Sequence, residues 1–413
     1  MWVIRSNRVG LFVACLLGVA GCTKYERDAF DRLTSSPGPS TPQEVVAAEG
    51  CRLDVTEDEA RAYFGRLKTA VDGRQHETLL SLIDYNILGK VGVRGGKDRR
   101  SAEQFVEGFR EGAGRNPGGM FHQILEQNSR LRLLRITVNP RGRQVLVRIV
   151  GDKGLNYLEV DLARRSSGEV IAYDVFNYSI GEHFSDIMRR VYILSGGDPE
   201  TLRFDSSPSP ESKQAQALMT NMVDALRGKR YQDVIAGFAR LPESFRKERV
   251  LLAMRMQAAA ELGDDAYRAA LADIRKYHGE ADWTSMLLLD DDYLRRDFDG
   301  AHRRLDRLDR SVGGDPYLDF MRANLDIERE RFDTAYIFAK RATEAEPEMF
   351  VGHNALLTSA VALRKFDVVV RELVILEQSH DVDVDALVET DAYHEFVESP
   401  EYKRWKIARA RDE

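Results

Sequence analysis

The chain has 413 residues, of which 60 are lysine or arginine and 67 are aspartate or glutamate, giving a formal net charge of −7. Nucleic acid is not expected as a partner of a chain with this acidic balance. The length predicts two or three domains, each long enough to bury a core.

Residues 1–22 have the pattern of an export signal. Arg5 and Arg8 precede an apolar run from Val9 to Ala20, which is too short to cross the ~30 Å hydrocarbon core of a bilayer as a helix. The run ends at Val19-Ala20-Gly21-Cys22, which resembles the lipobox of bacterial lipoproteins. The resemblance implies that residues 1–21 are removed as a signal peptide and that Cys22 is acylated. An ordinary signal peptide followed by a chance cysteine is the alternative.

The stretch that follows predicts a flexible tether over residues 22–50. It contains a run from Ser35 to Pro42 that is rich in serine and proline and cannot bury a core. In lipoproteins of Gram-negative bacteria, an aspartate after the acylated cysteine favours retention in the inner membrane, so by resemblance Thr23 implies the outer membrane. No later segment approaches eighteen apolar residues, so the lipid on Cys22 is the expected membrane attachment.

Cysteine usage limits the chemistry of the rest of the chain. After removal of the signal, only Cys22 and Cys51 remain. If Cys22 carries lipid, no intramolecular disulfide can form and cysteine-rich zinc sites are excluded.

Residues 51–200 predict an α+β domain in which helices pack on a four-stranded antiparallel sheet. Thr56 to Glu59 has the pattern of a capping box that opens a helix. Helices are predicted over 60–71, 75–88, 102–112 and 120–127, and strands over 131–138, 144–150, 155–163 and 169–178. The order resembles the NTF2-like (cystatin-like) cone, in which helices cap a curved sheet.

After a linker at 201–213, residues 214–383 predict helical repeats. Phe298, Phe332 and Phe366 are equally spaced, and the apolar positions three, seven and ten places further on keep the same phase. Tyr231 and Tyr267 extend the pattern upstream with spacings of 36 and 31. The remaining residues, 384–413, predict capping helices, with Ser399 and Pro400 as a helix start.

The interval between these phenylalanines resembles the 34-residue helix-turn-helix period of tetratricopeptide (TPR) repeats, which form an all-α solenoid. The unit 316–349 matches best, with Ala323, Phe332, Ala335, Ala339, Ala342 and Pro347 on the small, aromatic and proline positions of that pattern. A non-repetitive helical bundle is the alternative.

The resemblance also implies a partner-binding groove lined by the first helix of each unit. Its positions fall on Trp283, Met286, Asp290 and Tyr293, then on Tyr317, Phe320, Asn324 and Ile327, then on Val351, Asn354, Thr358 and Val361. Aromatic anchors with a few polar groups suit an extended or helical peptide, although the same aromatics can instead pack between helices. The Lys/Asn clamp that binds C-terminal carboxylates in some members of the family is not reproduced.

No catalytic or metal-binding constellation is evident, and no cofactor is predicted. The eight histidines are scattered, and His183 with Asp186 forms an isolated pair. We therefore expect a non-enzymatic lipoprotein of the cell envelope that binds envelope proteins through its repeats. The alternative is that residues 51–200 bind a small ligand or catalyse a simple reaction.

Overall fold

The computed structural model describes residues 40–95, 99–115, 129–151, 154–194, 210–279 and 281–412. Within these ranges the chain divides into two compact units, one ending at Asp291 and the other spanning Asp292–Glu413. The lipobox and residues 22–39 of the predicted tether lie outside the described residues, as does the helix predicted over 120–127. The predicted end of the tether at residue 50 is wrong, because Pro42–Ala48 form a helix whose Val45 and Val46 are buried in a core.

The first unit begins with helices that surround a sheet. These helices are α1 (Pro42–Ala48), α2 (Glu57–Asp72), α3 (His76–Ser81), α4 (Tyr85–Gly92), α5 (Arg99–Arg115) and, after the sheet, α6 (Phe184–Leu194). The capping box at the start of α2 is confirmed: the Glu59 amide donates to the Thr56 hydroxyl, and the Thr56 amide donates to the Glu59 carboxylate at 2.8 Å.

The single helix predicted over 75–88 is wrong, because the structure has two helices there. Ile83 forms a bridge with Ala172 of the sheet, which draws the chain out of helical conformation. The Asp84 side chain then accepts hydrogen bonds from the amides of Asn86 and Ile87 and starts α4.

The sheet is an antiparallel meander with the order β1-β2-β3-β4-β5. Its strands are β1 (Arg130–Asn139), β2 (Gly142–Gly151), β3 (Gly154–Arg164), β4 (Val170–Asn177) and β5 (Glu182–His183). The four predicted strands are present, but the predicted strand number is wrong. The fifth strand consists of Glu182 and His183 alone, too short to show alternation in a sequence.

The two faces of the sheet have different surroundings. Val145, Val147 and Ile149 of β2 alternate onto one face and join a buried core with residues of α2 to α6. Asp161 of β3 and Asp174 of β4 point to the other face and are nevertheless fully buried. Buried carboxylates are costly unless they are paired, so this second face must also hold groups that neutralise them.

The rest of the first unit is helical. It contains α7 (Pro210–Arg227), α8 (Tyr231–Ala239), α9 (Glu243–Arg246), α10 (Arg249–Leu262), α11 (Asp264–His278) and a 3-10 turn at Asp282–Thr284. Helix α12 (Leu287–Leu294) contains the division between the units. Ile180 and Ile187, which flank β5, pack in one core with α7, α8, α10 and α11.

The second unit is also helical. Its elements are α13 (Phe298–Val312), α14 (Pro316–Ile327), α15 (Phe332–Ala345), α16 (Phe350–Ala362), α17 (Phe366–His380), α18 (Val384–Val388), a 3-10 turn at Asp391–Tyr393, α19 (His394–Val397) and α20 (Pro400–Asp412). The predicted start of the last helix is confirmed, since the Tyr402 amide donates to the Ser399 hydroxyl. No helix in the described ranges has the length and apolarity needed to span a bilayer.

Helix starts recur along both units at nearly equal intervals. The helices α8, α11, α13, α15 and α17 begin at Tyr231, Asp264, Phe298, Phe332 and Phe366, each directly after a short turn. The helix starts Tyr231, Asp264 and Phe298 are 33 and 34 residues apart, whereas the aromatic residues Tyr231, Tyr267 and Phe298 are 36 and 31 apart. Tyr267 lies in the first turn of α11 rather than at its first residue, so using this tyrosine to mark the start of the helix placed the start three residues too late.

The turns before these helices share one geometry. Lys229, Arg296, Glu330 and Arg364 each have a positive φ between 53° and 58°. In the third of these turns, the Glu330 amide donates to the Ile327 carbonyl and the Arg331 amide to the Asp326 carbonyl, and the other three turns repeat this pair of bonds. A left-handed residue closed by such bonds ends a helix in the same way as a Schellman motif.

We expect Glu330→Gly to stabilise the second unit by about 0.5–1 kcal/mol, because a non-glycine residue with positive φ is strained there. Glu330 is exposed, so no packing is lost. Chemical denaturation followed by circular dichroism measures the change. Lys340→Gly on the exposed face of α15 is the control and should cost about 1 kcal/mol. A stability loss in Glu330→Gly would contradict the prediction.

Candidate functional site

A buried group of ionisable side chains lies on the second face of the sheet. It consists of Arg141, Asp161, Asp174, His183 and Ser185, and we refer to it as the charged cluster. Arg141 comes from the β1–β2 turn, the two aspartates are cross-strand partners on β3 and β4, His183 is in β5, and Ser185 is in the first turn of α6.

Arg141 bridges the two carboxylates. Its Nε donates to Oδ2 of Asp161 and its Nη2 to Oδ2 of Asp174, both at 2.5 Å. The Asp161 and Asp174 side chains are fully buried, whereas 18% of the Arg141 side chain is exposed. The turn is held in place by a hydrogen bond from the Tyr173 hydroxyl to the Arg141 carbonyl at 2.6 Å. The guanidinium is thus positioned to neutralise two buried charges.

The other carboxylate oxygens are also occupied. The Gln144 side chain donates to Oδ1 of Asp161. The backbone amides of Val175 and Ser185 donate to Oδ1 of Asp174, at 2.9 and 3.2 Å, and the Ser185 hydroxyl donates to Oδ2. Every oxygen of the two buried carboxylates therefore accepts at least one hydrogen bond.

His183 lies beside this arrangement with 20% of its side chain exposed. Its Nε2 is 3.5 Å from Oδ2 of Asp161, and its Nδ1 is 3.9 Å from Oδ2 of Asp186. Burial favours the neutral imidazole, but contact with Asp161 and the charge of Asp174 outweigh it, so the pKa of His183 is raised. His183 is therefore biased towards the imidazolium form.

Burial also raises the pKa of the carboxyl groups on this face. The effect is found for Asp174, where burial outweighs the charges of His183 and Arg141, and for the partly buried Glu159. With His183 protonated, two cations face two buried aspartates and the charged cluster is electrically balanced. Loss of one proton leaves an uncompensated negative charge in a buried place.

The geometry favours a proton-holding network over a metal centre. Asp161, Asp174 and His183 offer donor atoms within 4.8 Å of one another, as a metal ion would require. However, the Arg141 guanidinium already bridges the two carboxylates, and its positive charge opposes cation binding. Ser185 donates to Asp174, so its hydroxyl is not activated by His183 as a nucleophile would be.

The sequence analysis missed this cluster because its members are scattered along the chain between Arg141 and Ser185. His183 was noted only as a partner of Asp186, which does lie near it. One local signal was available. Asp174 interrupts the otherwise apolar run of β4 from Val170 to Phe176, and a buried strand tolerates an acid only where a partner neutralises its charge.

The predicted groove residues have different environments. Trp283 packs at the junction of the sheet and the helices: a Cβ at Gly181 would collide with it, and the Arg249 guanidinium lies 4.9 Å from the centre of its ring. The His278 ring is 5.2 Å away. Trp283 thus stabilises the first unit internally.

Other predicted groove residues are also buried. Met286 and Asp290 in the first unit, and Tyr317 and Phe320 in the second, are at most 6% exposed. Tyr293, Asn324 and Ile327 are partly buried, and Asn354 is exposed. Of the nine residues, Asn354 is therefore the most accessible to a partner, and Cys22 lies outside the described residues.

Asp290 has the environment of a neutral carboxylic acid. It is buried, and within the described part of the chain its hydrogen-bond donor is the Tyr267 hydroxyl at 3.3 Å. Burial raises its pKa well above the ordinary value, more than the Tyr267 hydrogen bond lowers it. A raised pKa means that folding is favoured while Asp290 is protonated and disfavoured once the pH exceeds the pKa of the unfolded chain.

We expect Asp290→Asn to stabilise the first unit at pH 7, because burial disfavours the charged carboxylate and the amide has no charge to desolvate. The gain should shrink as the pH falls towards 4. Thermal unfolding at several pH values measures it. Asp265→Asn, at an exposed position in the same unit, is the control. Equal effects of the two substitutions would contradict the prediction.

Comparisons with known proteins add no identity: no family model, curated protein or solved structure matches the chain.

Proposed function

We propose that this protein is a membrane-tethered, non-enzymatic interaction protein of the bacterial cell envelope. In this proposal Cys22 is lipidated, residues 23–41 act as a spacer, and helical repeats of the TPR type bind another envelope protein. The outer membrane is the proposed location, on the basis of Thr23.

The recurrent helix pair is the observation on which the interaction role depends. Five helices begin at nearly equal intervals along the chain, and four of the preceding turns are closed by the same hydrogen bonds. A period of 34 residues in helix-turn-helix units is typical of TPR proteins, which use stacked helices as binding surfaces. In the second unit, α15 packs against both α14 and α16, as expected of successive repeats.

We also propose that residues 51–200 have a fold of the NTF2-like class. An antiparallel meander with helices α2 to α6 packed on one of its faces supports it. The charged cluster on the other face offers a second candidate function, the binding of a small ligand. Arg141 and His183 are partly exposed there and lie beside the buried carboxylates. A thermal-shift screen with small anionic ligands tests it, and stabilisation of the wild type but not of His183→Gln would support ligand binding there.

Lipidation predicts that Cys22→Ser abolishes labelling by palmitate and releases the protein from the membrane fraction. The physical reason is that the acyl chains supply the proposed attachment. Metabolic labelling followed by fractionation measures both effects. Cys51→Ala is the matched control, since that thiol is buried beside α1 and should not affect labelling. Retained label in Cys22→Ser would overturn the proposal.

The partner site is best tested where side chains are accessible. Asn354 and Thr358 are exposed on α16, with Val351 and Val361 partly exposed beside them. A photo-cross-linking residue at Asn354 should capture a defined envelope protein in the native cell. The same residue at Asp333, exposed at the start of α15, is the control. Identical products from both positions, or none from Asn354, would count against binding at this face.

A further inference from the structure

We propose that residues 180–187 form a pH-sensitive coupling segment, in which the protonation state of His183 controls how firmly the sheet packs on helices α7 to α11. This goes beyond the proposed function, since it concerns the first unit and requires neither lipid nor partner. The segment comprises the end of the turn after β4, the strand β5 and the first residues of α6.

One set of side chains in the segment enters the charged cluster. His183 lies 3.5 Å from Asp161. Ser185 donates from its amide and its hydroxyl to Asp174. Strand β5 pairs with Phe176 and Asn177 of β4, and the His183 ring makes an edge contact with Phe176 at 5.1 Å. The position of this short strand therefore depends on the charged cluster.

The other set of residues contacts the helical part of the unit. The Gly181 carbonyl accepts a hydrogen bond from Arg249 at 2.9 Å, and its Cα approaches Trp283 closely. Glu182, which is 7% exposed, forms ion pairs with Arg190 and, at 3.4 Å, with Arg249. Ile180 and Ile187 pack in the core of α7, α8, α10 and α11. Neighbouring residues of the segment 180–187 therefore contact the charged cluster in one case and the helical part of the unit in the other.

The charged groups around His183 come from every neighbouring element. Asp161 and Glu159 belong to β3, Asp174 to β4, Arg141 to the β1–β2 turn and Asp186 to α6. Asp186 is itself paired with Arg94 at the end of α4. The surroundings therefore hold acids on three elements, together with the cations Arg141 on the two aspartates, Arg94 on Asp186 and Arg135 beside Glu159.

The direction of the effect follows from this balance. Because the pKa of His183 is raised in the folded protein, its contribution to stability is complete below the unfolded value of about 6.5 and is lost as the pH rises through the folded value. Above that pH, the cluster has one cation for two buried carboxylates. The attraction that holds β5 against β3 and β4 weakens, and Gly181 and Glu182 lose their fixed position against Arg249 and Trp283.

Amide hydrogen exchange tests the proposal. Exchange of residues 249–262 in the full chain would be measured at pH 6 and pH 8.5 and corrected for the intrinsic pH dependence. We expect at least threefold faster corrected exchange at pH 8.5 in the wild type. In His183→Gln the corrected rates should be independent of pH. The control His278→Gln, which removes the other histidine near Trp283, should keep the wild-type dependence.

A second variant, Asp186→Asn, tests the proposal even if His183→Gln does not fold. Asp186→Asn removes a part-exposed carboxylate 3.9 Å from the imidazole and should move the midpoint of the exchange transition to lower pH. Constant exchange in the wild type would overturn the proposal. So would a transition that survives in folded His183→Gln, or one whose midpoint is unchanged in Asp186→Asn.

Discussion

Replacing Arg141 by methionine is expected to destabilise the first unit by about 3–5 kcal/mol, the cost of leaving buried charges without a partner. The guanidinium bridges Asp161 and Asp174, whose side chains are fully buried and close to each other across β3 and β4. Methionine has a similar length but supplies neither charge nor donors. Urea denaturation followed by circular dichroism at pH 7 measures the loss.

Two further variants separate the electrostatic cause from general disruption of the turn. Arg141→Lys keeps the charge but cannot donate to both carboxylates in the same geometry, so an intermediate loss is expected. Adding Asp161→Asn and Asp174→Asn to Arg141→Met removes the stranded charges and should restore a large part of the stability. If the triple variant is no more stable than Arg141→Met, unpaired charge is not the cause.

A second large effect is expected at the His353–Glu372 pair in the second unit. Nδ1 of His353 lies 2.6 Å from Oε2 of Glu372, and Nε2 lies 2.7 Å from the Pro347 carbonyl. Both side chains are at most 5% exposed. His353→Leu leaves Glu372 buried with Arg371 Nε at 3.7 Å from its other oxygen, so the loss should be at the lower end of the cost of a broken buried pair, about 3 kcal/mol.

The same pair predicts a pH dependence with a defined sign. The hydrogen bond to Glu372 raises the pKa of His353, with a smaller contribution from Pro347, and together they outweigh burial. The stabilisation is therefore fully present below the unfolded pKa of about 6.5 and decreases as the pH rises through the folded value. Unfolding of the second unit followed between pH 5.5 and 9 should show this decrease.

Glu372→Gln should flatten that pH profile, because the partner of the imidazolium is gone. His394→Gln is the control, since His394 and its partner Glu398 are exposed and such pairs contribute little. A wild-type profile that is level above pH 6.5, or one unchanged in Glu372→Gln, would contradict the assignment.

The sequence predicts the sheet well where local chemistry decides the structure. Turn residues such as those from Asn139 to Gly142 delimit the first four strands, and alternation of Val145 and Val147 identifies the face that packs on α2 to α6. Strand β5 has no such signal. It exists because Phe176 and Asn177 present their backbone to it, which is a tertiary property.

The charged cluster could not be predicted from the sequence for a similar reason. Arg141, Asp161 and Asp174 are brought together by the register of three strands, and sequence spacing does not give register. The groove illustrates the opposite error. A repeat pattern assigns Tyr317 and Phe320 to a common helix face, but it does not tell whether that face is covered, and the structure buries both.

The order of contacts along the chain has a kinetic consequence. In the second unit α14, α15, α16 and α17 each pack on the next helix in sequence, so the loops that must close are short. In the first unit, the Gln43 side chain donates to the Pro140 carbonyl and Arg165 pairs with Asp84, contacts that join segments far apart in the sequence. Because rates fall as the sequence separation of contacts grows, refolding should be biphasic, with the residues after Asp292 regaining structure first.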